Sequence, residues 1–181
     1  MCTPDGAVLR VSVAALVLAC AAASAPAEPL YRLGSPLSDR DLVGWNIDIA
    51  ADGAGLPPGQ GSVAEGKVVY DAKCAACHGV KGEGKPANQL VGGSVLPPAA
   101  VKTVGSFWPY ATTLYDYVNR SMPWDRPQSL TPNEVYGVSA YILHLNGIVP
   151  DSAVLDAASL PKVRMPNRGG FTWPDPRPDT R

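Results

Sequence analysis

Apolar positions recur at helical spacing in three segments of the chain, and Gly- and Pro-rich stretches separate them. The first segment starts at Ser62, a good N-cap with Glu65 three residues on, the spacing of a capping box. Val68, Val69 and Ala72 then give an apolar face that leads to Cys74. The second covers Tyr110 to Arg120, with Leu114, Tyr117 and Val118 inward, and Pro123 excludes its continuation. The third runs from Pro132 to Leu145. Thr131 caps it, Pro132 sits in the first turn where it is tolerated, and Glu134 completes a second capping box. Val135, Val138, Ile142 and Leu145 form its inward stripe, with Tyr141 beside it. Asn146-Gly147 ends it, as a left-handed C-terminal residue would. The pattern predicts an all-α protein: a small helical domain over residues 62–149 between two mostly irregular arms, 26–61 and 150–181.

The arms are not read as solvated linkers. Leu30, Tyr31, Leu33, Leu42, Trp45 and Ile47 are too apolar for that, and a short helix is expected within residues 38–44. Residues 148–181 hold six prolines and no periodicity. Ahead of them all, Arg10 precedes an apolar run, Val11 to Ala23, which is too short to span a bilayer comfortably. Ala23-Ser24-Ala25 fits a small-x-small cleavage pattern, so residues 1–25 read as a signal peptide and the location as periplasmic. The alternatives are lipoprotein processing at Cys20, for which Leu18 is a poor fit, and an uncleaved anchor.

Composition narrows the function classes. The chain has 181 residues, 17 % of them charged, and a net charge of −1. That excludes the basic face a nucleic-acid binder needs. Gly (18) and Pro (19) together make long irregular segments around a small ordered core the expectation.

Cys2 and Cys20 lie in the leader, so Cys74 and Cys77 are the cysteines of the mature chain. A Cys-x-x-Cys pair alone is ambiguous between a redox disulfide and half a zinc site. Cys74-Ala75-Ala76-Cys77-His78 is not: two thiols at this spacing reach the two vinyl groups on one porphyrin edge, and the next residue points an imidazole at the iron. The motif occurs once, so one covalent haem c is expected, bonded through Cys74 and Cys77 and ligated by His78. The sixth iron ligand is expected to be Met122, held before Pro123 on the turn after the second helix; Met165 and His144 are the other candidates. A His/Met pair raises the reduction potential relative to two histidines. Trp108, Tyr110 and Trp124 are expected at the haem pocket, and the loop around Pro86 offers a backbone carbonyl to the His78 ring. Lys102, Arg120 and Arg126 are candidates for the haem propionates. Gly66 and Tyr70 are placed to meet Tyr141 where the first and last helices cross.

With those residues in view, the chain resembles class I cytochromes c over residues 62–78 and 131–145. It is more specifically similar to the SoxD-like cytochrome subunit of bacterial sulfite and sulfane dehydrogenases. The matching blocks are Gly53–Ser62 (GAGLPPGQGS), Lys102–Tyr117 (KTVGSFWPYATTLYDY), Met122-Pro123, residues 134–136 and 140–146, and Leu160–Arg168 (LPKVRMPNR). The resemblance implies an electron-accepting partner of a molybdenum-cofactor sulfite or sulfane dehydrogenase subunit, itself without catalytic residues, that passes electrons to a soluble cytochrome or an oxidase of the respiratory chain. The arms would then supply the docking surface. Two other functions stay open: a general soluble cytochrome c shuttle, and a haem enzyme or sensor with an open sixth site.

Overall fold

The computed structural model describes residues 34–96 and 101–171. The expected leader, with Ala25 and Cys20, lies outside them, as do residues 26–33 of the N-terminal arm and 172–181 of the C-terminal arm. The chain divides into two compact units, Met1–Leu42 and Val43–Arg181. In the first, a one-turn helix α1 (Asp39–Leu42) falls inside the stretch expected to hold one. Ser38 Oγ donates to the Asp41 carboxylate at 2.7 Å.

The second unit is mostly helical. Strand β1 (Gln60–Ser62) runs directly into helix α2 (Val63–Lys73), and the one-turn α3 (Ala75–His78) follows. Then come α4 (Val104–Phe107), α5 (Ala111–Ser121), α6 (Pro132–Leu145), strand β2 (Val154–Asp156) and a 3₁₀ turn at Leu160–Lys162. Both expected capping boxes are formed: Ser62 accepts from the Glu65 N–H, and Thr131 from that of Glu134. A third, Thr103 with Ser106, starts α4, which the sequence pattern does not predict. The serine replaces the usual acidic partner, and the helix is only one turn long.

Helix α6 is the centre of the unit. Every residue from Val135 to Leu143 is buried, so the helix is enclosed on all sides rather than along the expected stripe. The reason is that α2, α5 and β1 pack around it. Its crossing with α2 is a backbone contact: a Cβ on Gly66 would overlap the Gly137 carbonyl, and one on Gly137 would come within 3.1 Å of Gly66 Cα. This turns α2 so that Val63, Gly66 and Tyr70 are buried. Val68 and Ala72, expected inward, face solvent, because the glycine contact decides which face meets α6. Tyr70 packs edge-on against Tyr141 at 5.2 Å between ring centres, as anticipated.

The expected, mostly helical architecture is present, and a small two-stranded sheet is added to it. The second arm carries β2, which pairs antiparallel with β1 in the register Gln60–Asp156, Gly61–Leu155, Ser62–Val154. Leu155, Leu160 and Met165 from the same arm lie in the main hydrophobic core. The first arm joins it too: Tyr136 Oη donates to the Pro57 carbonyl at 2.9 Å, and Thr112 Oγ1 to that of Ala51 at 3.3 Å. Ile49 and Leu56 of the first arm pack against the same core while Trp45 stays exposed, a division that a pattern interrupted by prolines does not reveal. Among the described residues no helix is long and apolar enough to cross a membrane.

Candidate functional site

Helix α2 delivers Cys74 to its C-terminal end, where the Cys74 N–H donates to the Tyr70 carbonyl at 2.8 Å. The next turn is so short that Cys77 and His78 both donate their N–H groups to the Cys74 carbonyl, at 3.1 and 3.0 Å. The two thiols and the imidazole therefore sit on one tight turn. The two cysteines form no disulfide with each other. Burial pushes the Cys74 thiol up to about 11, against an opposing pull from Lys73.

The loop that follows is stitched back onto this turn. Gly84 N–H donates to the His78 carbonyl at 2.7 Å, and Ala87 N–H to that of Cys77 at 2.9 Å. This brings the Asn88 carbonyl to 2.7 Å from His78 Nδ1. A carbonyl only accepts, so Nδ1 carries the proton and Nε2 keeps its lone pair for a metal. The expected carbonyl is thus present, two residues beyond Pro86. Tyr70 Oη fixes the other side, donating to the Gly79 carbonyl at 2.9 Å. Burial raises that hydroxyl's pKa far above its ordinary value, so it remains a donor. Asn146, at the end of α6, holds the far end of the loop: its Nδ2 donates to the Leu90 carbonyl at 3.2 Å and its Oδ1 accepts from the Gly92 N–H at 3.0 Å.

Cys74, Cys77 and His78 open onto a cavity of about 470 Å³. Met122, the residue that ends α5, lines the same cavity. Trp108 and Trp124 line it as expected; Tyr110 does not, and instead lies under the Arg168 guanidinium, 4.9 Å from the ring centre. The apolar wall comes from Leu90, Val104, Leu114, Val118, Val138 and Ile142. Two of these, Leu90 and Val104, fall outside the expected stripes, because they join the wall only in three dimensions.

The remaining candidates lie elsewhere. Met165 is 1 % exposed in the core and does not line the cavity. His144 Nδ1 is 3.2 Å from the Val149 carbonyl, also outside the cavity. Of the three expected propionate partners, only Lys102 borders the cavity, with its Nζ 4.6 Å from the Phe107 ring centre. Arg120 is taken up by Asp48 at 3.0 Å and Asp116 at 2.5 Å, and Arg126 by its neighbour Asp125 at 3.8 Å.

The cytochrome c family model matches residues 63–146. The fold is also that of a chain in the crystal structure of the sulfane dehydrogenase SoxCD from Paracoccus pantotrophus, at TM-score 0.75 and 40 % identity over 81 % of this chain and 73 % of that one. The chain belongs to the cytochrome c family. The cytochrome is further 34 % identical over 89 residues to the thiosulfate dehydrogenase of Stutzerimonas stutzeri (strain A1501); the match spans 48 % of this chain and 28 % of that protein. The resemblance to cytochromes of sulfur-compound dehydrogenases drawn from the sequence agrees with these matches.

As a cytochrome c, the protein carries covalently attached haem c. The cavity fits that group. Its volume lies within the range of cofactor sites, roughly 300–1,000 Å³. Its donor set is two thiols on one turn, an imidazole with a free Nε2, and a thioether from a separate element, all against apolar walls.

Proposed function

We propose that this cytochrome is a periplasmic one-electron carrier. It accepts electrons from a molybdenum-cofactor sulfite or sulfane dehydrogenase subunit and passes them to the respiratory chain. The observation that carries the reading is the meeting of Cys74, Cys77, His78 and Met122 around one apolar cavity. The homology to SoxCD and to thiosulfate dehydrogenase supports a sulfur-oxidising dehydrogenase as the donor.

Cys74 and Cys77 would hold the haem by thioether bonds, and His78 and Met122 would ligate its iron. When bound, the haem supplies a single reversible iron(II)/iron(III) couple. The rest is done by the chain. The Asn88 carbonyl fixes the His78 ring and raises its basicity as a ligand. Met122 would supply a thioether ligand to the iron, which would favour electron transfer over ligand chemistry and raise the reduction potential. Leu114, Val118 and Ile142 keep water from the cavity's inner side. The reading assigns bond chemistry on sulfur to the partner subunit.

Met122→Ala tests the ligand assignment. The expected result is loss of the low-spin spectrum and a reduced form that binds CO, with Met165→Leu and His144→Ala unchanged. A low-spin spectrum retained in Met122→Ala would reject Met122. Co-purification of the full-length protein with a molybdenum subunit tests the partner; a free monomer would favour the general shuttle.

A further inference from the structure

The C-terminal segment has a second feature besides its role in the core. From Lys162 to Met165 side chains alternate outward and inward: Lys162 and Arg164 are exposed, Val163 is half-buried and Met165 is buried. Arg168 is exposed one turn on, and all three cations line one open surface depression with Pro161 and Gly169. Among the described residues none of the three forms an ion pair, and neither do Arg40, Lys81, Lys85 and Lys102; what sets the three apart is that they line one depression together. The carboxylate nearest in sequence, Asp156, is engaged by Ser159 and the Ala158 N–H, with only a minor influence from Lys162.

The strip is mounted rigidly. Leu160 on one side and Met165 within it are fully buried anchors. Asn167 Nδ2 donates to the Phe107 carbonyl at 2.6 Å, and the Arg168 guanidinium lies over the Tyr110 ring. At Gly53 a Cβ would overlap Pro161, so the segment is pressed against the first arm as well. Three unpaired cations on a fixed backbone create a local positive potential on a molecule whose net charge is −1.

We propose that Lys162, Arg164 and Arg168 form the docking strip for an acidic face of the protein that exchanges electrons with this cytochrome. The proposal rests on the reading of the chain as an electron-transfer partner. Charge complementarity selects the occupant. The cations are exposed and spread along the segment, and no buried polar side chain lines the depression, so the convergent donors a small inorganic anion requires are missing among its lining residues. Exposed cations act mainly on the rate of encounter, and a carboxylate-rich surface of similar extent meets all three together. The ordering cost is low because the backbone is already fixed.

The test compares the holoprotein with Lys162→Gln/Arg164→Gln/Arg168→Gln and with a control, Arg40→Gln/Lys81→Gln/Lys85→Gln, which removes the same charge from exposed positions elsewhere. The first probe is immobilised poly-L-glutamate. The strip variant should elute at clearly lower salt than the wild type and the control; an equal shift in both variants overturns the proposal. The second probe is the molybdenum dehydrogenase subunit in stopped flow. The strip variant should associate at least about tenfold more slowly and lose its salt dependence. An unchanged rate overturns the proposal. An unchanged absorption spectrum and melting temperature show that the variant is folded. If the wild type ignores the molybdenum subunit while retention on poly-L-glutamate still depends on the strip, the partner reading fails and the strip stands. Calorimetric binding of one sulfate per chain by the wild type and not by the strip variant would overturn the protein-surface occupant.

Discussion

His78 is held by groups that do not touch iron. Tyr70 pins the backbone just after it through the Gly79 carbonyl, and Asn88 supplies the carbonyl that fixes its Nδ1 proton. The Tyr70 ring also packs on Tyr141, so its hydroxyl and its ring have separable roles. Tyr70→Phe keeps the ring contact and leaves the Gly79 carbonyl without its donor. It should lower unfolding stability by about 0.5–1.5 kcal/mol, the net value of such a bond, with a larger loss if no water replaces the hydroxyl. Chemical denaturation of the holoprotein measures it, and the visible spectrum should stay low-spin. A spectral change would mean that Tyr70 controls the ligand geometry and not only stability.

At the scale of elements, the capping boxes tie stability to pH. Glu134 accepts from Lys73 Nζ at 2.7 Å, linking the start of α6 to the end of α2. That hydrogen bond first, then the Thr131 N–H, holds its carboxyl below the ordinary value of 4.5. A lowered carboxylate contributes stability above its unfolded pKa, and this is lost as pH falls through the folded one. The gap in melting temperature between wild type and Glu134→Gln should therefore be fully open near neutrality and close as pH falls below about 4. A gap that persists in acid would place the contribution elsewhere. These boxes were legible in the sequence because Ser62/Glu65 and Thr131/Glu134 have the required spacing. So was the Cys74–His78 motif, whose chemistry depends on spacing alone. What escaped was whatever depends on a partner element: α2 turns Val68 to solvent because Gly137 on α6 faces Gly66, and within the loop around Pro86 it is Asn88 that supplies the carbonyl because Ala87 is bonded to Cys77.

For the whole molecule, the C-terminal segment sets the boundary of the folding unit. Read as an irregular arm after residue 149, it looks dispensable for folding and available for docking. In the structure its strand closes the sheet with β1, and β1 runs without a break into the helix that carries Cys74. Leu155 in that strand, and Leu160 and Met165 beyond it, are buried in the main hydrophobic core. Removing residues 150–181 would strip β1 of its partner and uncover the core beneath those three side chains, so loss of partner binding in such a truncation would report unfolding rather than docking. A smaller change separates the two. Leu160→Ala leaves Lys162, Arg164 and Arg168 in place and should cost about 2–5 kcal/mol, as removal of a fully buried leucine does. Thermal melting should show the loss, while association with a partner below the melting temperature remains close to wild type. The strip variant should behave in the opposite way, with normal melting and weakened association. If Leu160→Ala melts normally, the segment is not part of the cytochrome's core; if both variants lose the partner equally at a temperature where both are folded, packing and docking in this segment are not separable.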